Sequence, residues 1–243
     1  MRTTFVFFLL LIILSFVGSQ NYNGQFKGKD IAAQTDTAFS IKDFDGNSYQ
    51  VVTIGEQKWI SSNLATSHYR NGKLIPEAKT IREWKNFCRE KQGCWCYYNY
   101  DSVIGAKYGK LYNWYAVVDS VNRIAPKGFE VPSDKDFSIL FINDVSQLKS
   151  TQGWLQYVSK NSYGKKIKLD GNGTNKSGFN ALPGGFLISN GTFRNMGSES
   201  YWWTTTEIFY PYAGSYSISS NSYSLYMHQS SQWMGYYVRC LEE

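Results

Sequence analysis

The chain has 243 residues, of which 42% are hydrophobic, 17% aromatic and 18% charged, with a formal net charge of +6. This balance excludes global disorder and suffices to bury one substantial core. With 19 Tyr and 8 Trp against 4 Met, it favours strands and aromatic surfaces over a helical bundle, and so mild a basic excess suggests no nucleic-acid partner.

Residues 1–19 read as a signal peptide. Arg2 precedes an apolar run from Phe5 to Leu14 that continues to Val17, and the small residues Gly18 and Ser19 mark the cleavage site. The run is shorter than the roughly 20 residues that span a bilayer. No transmembrane anchor is therefore expected after cleavage, and the expected location is secreted or in the cell envelope, either periplasm or outer surface. Residues 20–38 are polar and read as a lead-in; one domain is expected over 39–243.

From Ile41 to Ile60 two turn signals, Asp45-Gly46-Asn47 and Gly55-Glu56, separate β-branched runs, which predicts an opening β-meander. Thr80-Ile81-Arg82-Glu83 is a capping-box match and predicts a helix to about Arg89. Leu111, Trp114, Tyr115 and Val118 fall at helical spacing, predicting a second helix over 111–118. A third is expected after Ser133-Asp134-Lys135-Asp136, with Phe137, Leu140 and Phe141 on its apolar face. Lys165-Lys166-Ile167-Lys168 reads as a solvated strand edge. Beyond Ser150 the pattern is short strands and tight turns at Gly171-Asn172-Gly173, Pro183-Gly184-Gly185, Ser189-Asn190-Gly191 and Asn195-Met196-Gly197. Helices early and strands late make an α+β arrangement.

Cysteines fall at 88, 94, 96 and 240. An even number in an exported chain implies disulfides, but spacing leaves the connectivity open. Zinc is disfavoured, because Cys94-x-Cys96 is not a zinc spacing and His68 and His228 are the only histidines.

Several segments together resemble one family. They are Asp45-Gly46-Asn47 with Ile54-Gly55, Gln57, Trp59 and Asn63-Leu64; Tyr108 to Ala116; Pro126 to Asp134; Gly173 to Phe186; Trp202-Trp203; and Val238-Arg239-Cys240. In this order, over about residues 40–242, they are similar to the Fibrobacter succinogenes major paralogous domain family. The resemblance implies an exported bacterial protein without an established activity. It also implies a C-type-lectin-like fold, shared with formylglycine-generating enzymes: a twisted antiparallel sheet with two or three short helices and long ordered loops. Many members carry a Cys before the Pro-x-Gly segment that could pair with the terminal Cys. Ala125 stands there in this chain, so the expected pairs are Cys96 with Cys240 and Cys88 with Cys94. Phe129-Glu130 replaces a common Trp-His.

Residues 97–239 contain no Cys, which argues against the thiol chemistry of the formylglycine-generating branch. No Gly-x-Ser-x-Gly elbow supports a triad. His68 and His228 read as surface or loop residues, and the carboxylate pairs Asp134 with Asp136 and Glu199 with Glu207 as caps and strand-edge charges. No catalytic residue is assigned. The calcium-binding sequences of C-type lectins are absent; Asp170, Asn172 and Asn175 are the candidate oxygen ligands for Ca²⁺, with turn formation the simpler role. No other cofactor is expected. The Tyr-rich segment after 209 mixes aromatics with Ser and Asn, a composition suited to broad adaptable contact. Strand alternation sends part of that set inward, leaving Tyr210, Tyr212 and Trp233 as candidate ligand contacts. Trp114, Phe179, Leu182, Trp202 and Trp203 are expected in the core. The expected function is a noncatalytic binding or surface-interaction module for a glycan or a cell-surface protein. The alternatives are an enzyme of unknown reaction on the same scaffold and a structural envelope protein.

Overall fold

The computed structural model describes residues 39–140 and 144–243. The expected signal peptide (1–19) and lead-in (20–38) fall outside them, as does Phe141. The elements in chain order are β1 (Ser40–Lys42), β2 (Ser48–Ile54), β3 (Gln57–Ile60), α1 (Ile81–Arg89), β4 (Trp95–Cys96), α2 (Ser102–Tyr108), β5 (Leu111–Tyr112), α3 (Trp114–Val117), β6 (Phe129–Glu130) and α4 (Asp134–Ser138). After them come β7 (Tyr157–Lys160), β8 (Lys166–Leu169), β9 (Gly184–Leu187), β10 (Phe193–Met196), β11 (Glu199–Phe209), β12 (Tyr212–Ser219), β13 (Tyr226–Ser231) and β14 (Leu241–Glu242). Short helices early and long strands late confirm the α+β class. No helix of the described residues is long and apolar enough to cross a membrane.

The meander over 41–60 forms as the turn residues dictate. Asp43 accepts from the Asn47 amide at 2.9 Å and from Tyr49 Oη at 2.6 Å across the β1–β2 turn. Gly55 opens the two-residue β2–β3 loop at φ +64, a left-handed position that favours glycine. These strands belong to a five-stranded sheet ordered β1-β2-β3-β14-β6, so the C-terminal strand inserts between β3 and β6, both far earlier in the chain. A second five-stranded sheet, β10-β9-β11-β12-β13, carries the longest pairing, β11 with β12. Pairing is antiparallel throughout both sheets except for the β9–β11 contact.

Aromatic side chains join the layers. Trp59 meets Phe137 and Phe179 edge-on at centroid distances of 5.2 and 5.9 Å, Phe179 meets Trp202 at 5.6 Å, and Phe137 stacks on Tyr216 at 4.9 Å. Such contacts contribute about 0.5–1.5 kcal/mol each beyond area burial. Trp114, Phe179, Trp202 and Trp203 are buried as expected, whereas Leu182 is half-buried.

The local signals are realised unevenly. Thr80 caps α1 by accepting from the Glu83 amide at 3.2 Å, but Glu83 accepts from the Lys79 amide rather than that of Thr80. Ser133 and Asp136 form the full reciprocal box, starting the five-residue α4. The helix expected over 111–118 is split: Leu111 and Tyr112 pair with Cys96 and Trp95, Asn113 caps α3, and only Trp114–Val117 is helical. Pro183-Gly184-Gly185 enters β9 instead of a turn, because Gly184 must approach Tyr237 and Gly185, at φ +68, must approach the Arg194 carbonyl. α2 is not among the helices expected above, although its Asp101 cap and its Gly109 stop, at φ +85, are both local signals.

Candidate functional site

The β11–β12 hairpin ends in a tight turn whose Tyr210–Pro211 peptide is cis, flanked by the facing pair Phe209 and Tyr212. Along β12, Tyr216 and Ile218 enter the core while Tyr212, two turns of the pleat earlier, lies past its edge. Phe209, Tyr210 and Tyr212 are accordingly 57%, 59% and 37% exposed. The Phe209 and Tyr212 rings meet at 5.2 Å, and Lys91 Nζ stands 4.4 Å from the Tyr210 ring centroid. An ammonium over an aromatic face is attracted by the ring quadrupole, so Lys91 fixes that face beside the loop after α1.

Trp233 is half-buried against the core rather than displayed with the two tyrosines. Its carbonyl accepts from Trp84 Nε1 at 2.9 Å. The neighbouring Gln232 donates its amide to the Pro211 carbonyl at 2.9 Å and its side chain to Glu207 at 3.2 Å. The Gln232-Trp233 loop therefore braces the hairpin tip. Of the other tyrosines in this segment, Tyr223 and Tyr226 are exposed, and Tyr236 and Tyr237 are buried.

Beside the tip lies a cleft of about 430 Å³ whose wall includes Tyr69, Lys73, Pro76, Lys91, Tyr115 and Asp119. Lys91 thus belongs both to the exposed aromatic platform and to the cleft. Burial opposes ionisation of Asp119, but hydrogen bonds from the Asn122 side chain and amide and the charge of Lys73 hold its carboxyl below the ordinary value. A second cleft, about 440 Å³, includes Asp119, Arg123, Glu130, Ser133, Asp136 and Thr205 in its wall and has no aromatic lining. Its Asp136 is committed to the α4 cap. An aromatic face next to polar groups suits an amphipathic ligand better, which favours the first cleft.

A third concavity, about 340 Å³, holds a polar cluster that sequence reasoning did not assemble. Asp45 receives the Ser67 amide and the Thr66 hydroxyl and faces His68 Nδ1. Lys110 Nζ donates to Ser67 Oγ and sits 3.9 Å from the Trp95 ring centroid. Burial pulls its ammonium down to about 8 against the countervailing charges of Asp45, Asp43 and Glu77. His228 is half-buried on β13, with Nε2 at 2.8 Å from Ser217 Oγ, and burial lowers its pKa against the opposing charge of Glu199.

The Asp170, Asn172 and Asn175 oxygens hold turns. Asp170 Oδ1 accepts from the Asn172 amide at 3.0 Å, Asn172 Oδ1 from the Trp154 amide at 2.9 Å, and Asn175 Oδ1 from the Asn180 amide at 2.8 Å. The Gly171 carbonyl nearby accepts from Lys149 Nζ at 3.1 Å. All four cysteines are free thiols, so neither expected disulfide is formed. Cys96 and Cys240 lie in different core clusters, Cys96 with Trp59 and Trp202 and Cys240 with Ile60 and Val238, which separates that expected pair.

The fold is thus an α+β domain with an exposed aromatic hairpin tip that Lys91 links to a cleft. The model of the Fibrobacter succinogenes major domain matches residues 52–242. The chain belongs to this family. None of the curated proteins and none of the solved structures compared with the chain matches it.

Proposed function

We propose that the domain is a noncatalytic binding module, exported behind the 1–19 leader to the cell envelope or beyond, on a C-type-lectin-like scaffold. Its ligand in this reading is a surface glycan. The observation that carries the proposal is the pair of exposed rings Tyr210 and Tyr212 at the hairpin tip, with Lys91 both over the Tyr210 ring and in the cleft wall. A pyranose ring has an apolar face that packs on an aromatic ring and a rim of hydroxyls that needs polar partners; the tip supplies the first, and Lys73, Lys91 and Asp119 supply the second.

The test is a glycan array probed with the mature chain, once with Ca²⁺ and once with chelator. Binding lost in Tyr210→Ala and Tyr212→Ala supports the reading, and the chelator arm reports whether calcium at the Asp170 turn or elsewhere takes part. Binding unaffected by both substitutions moves the site elsewhere. An array without signal transfers the proposal to a protein ligand or a structural role.

One observation favours a second reading, an enzyme on the same scaffold. Ser67 lies in a cleft with its hydroxyl against a lysine that burial has brought down to about 8, and a neutral amine there can accept the serine proton. Covalent labelling of Ser67 by a fluorophosphonate, lost in Lys110→Met, would support it; an unlabelled serine would remove its basis.

A further inference from the structure

The turn after α1 folds the chain back on itself. Lys91 and Gln92 donate to the Cys88 and Phe87 carbonyls at 3.1 and 2.8 Å, and Lys91 takes φ +53. This reversal returns Cys94 to the side of Cys88, close enough for each thiol to perturb the ionisation of the other. Asn113 holds both ends: its Oδ1 accepts from the Cys94 amide at 3.0 Å, and its Nδ2 lies 3.7 Å from Cys88 Sγ and donates to the Gln92 carbonyl at 2.8 Å. Both thiols are buried in the same core cluster, while Glu90, Lys91 and Gln92 between them are exposed and line the cleft beside Tyr210.

We infer that Cys88 and Cys94 are a dithiol site that closes to a disulfide by exchange with a small-molecule disulfide, locking the 89–93 loop that walls the cleft. The Cys88 thiolate attacks one sulfur of the reagent, breaking its S–S bond, forming a mixed disulfide and releasing one thiol. Cys94 then gives up its proton and attacks the Cys88 sulfur, releasing the second thiol. Two protein thiols are oxidised and one disulfide is reduced to two thiols. The contact from Cys94 lowers the Cys88 thiol, so it is the first nucleophile, whereas burial and then the contact from Cys88 raise Cys94. Because both sulfurs are buried, exchange proceeds through opening of the loop. Cys96 shares the Cys88 cluster but sits on β4, where its backbone pairs with Leu111, and Cys240 belongs to the other cluster. Neither takes part.

The experiment is to reduce the full chain, desalt it, and incubate it folded in oxidised and reduced glutathione. The mixture is then quenched in acid, alkylated under denaturing conditions and mapped by peptide mass spectrometry. The expected result is a fall from four free thiols to two, a linked peptide joining Cys88 to Cys94, and slowed amide exchange over 90–93. Cys88→Ser under the same conditions is expected to form no internal disulfide. Four thiols persisting in oxidising buffer overturn the inference, as does a linkage through Cys96 or Cys240. None of these readouts involves a ligand, so they stand or fall apart from the glycan reading.

Discussion

Arg239 is the buried group whose removal the structure prices most directly. Its side chain is fully buried on the segment leading into β14. Nε donates to Asn63 Oδ1 at 2.9 Å, Nη1 to the Ile60 and Phe179 carbonyls at 3.0 and 2.8 Å, and Nη2 to the Asn180 carbonyl at 3.2 Å; the guanidinium carbon lies 4.4 Å from the Phe179 ring centroid. Burial brings the guanidinium down to about 9, still charged at neutral pH. Arg239→Met keeps most of the stem volume and removes these donors, leaving the Ile60, Phe179 and Asn180 carbonyls and Asn63 Oδ1 each short of one. Relief of the buried charge offsets part of the loss, and removal of one side of a buried charged network costs about 3–5 kcal/mol. We expect about 4 kcal/mol, which at about 2–4 °C per kcal/mol for a domain of this size lowers Tm by roughly 8–16 °C. Arg239→Lys keeps a charge but not the planar fork and should fall about halfway. Thermal melts by circular dichroism at neutral pH decide it. A Met variant within about 2 °C of wild type would mean that the desolvation cost cancels the hydrogen bonds and would refute the reasoning.

Tyr210→Ala and Tyr212→Ala alter exposed rings and should change stability by no more than about 0.5 kcal/mol while abolishing glycan binding; a large drop in the urea midpoint would reassign the tip to folding. Gly185→Ala adds a methyl at φ +68 facing the Arg194 carbonyl at 2.4 Å, and a cost of about 3 kcal/mol is expected from strain and overpacking, measured as a shift of the urea midpoint. Lys110 has a folded pKa of about 8 against an ordinary 10.5. Between those values the unfolded chain holds a proton that the folded chain has released, so this residue makes stability rise with pH across that window. Lys110→Met loses that rise, so the wild-type advantage over the variant should be larger near pH 9.5 than near pH 7; an unchanged difference in urea midpoints would show that the ammonium is not desolvated.

The meander turns, the Thr80, Ser133 and Gly55 signals and the α+β class were legible from the amino acids, because each rests on interactions within a few residues. The alternation after 209 also foretold that the tyrosines would divide between core and surface. Sequence marked Tyr210 and Tyr212 correctly as surface residues and gave Trp233 too much exposure, since its position depends on the Trp84 hydrogen bond from α1. Lys91 over Tyr210, Ser67 against Lys110, and Asn113 between Cys88 and Cys94 join positions distant in the chain, and no local pattern announces them. The same is true of Leu111 and Tyr112, whose helical spacing is overruled by pairing with β4. The sequence by itself therefore determined where the backbone turns and which residue types must be buried. Tertiary structure decided which faces meet, because hydrogen-bond partners and desolvation are set by segments far apart in the chain, 179 residues in the Arg239 contact with Ile60.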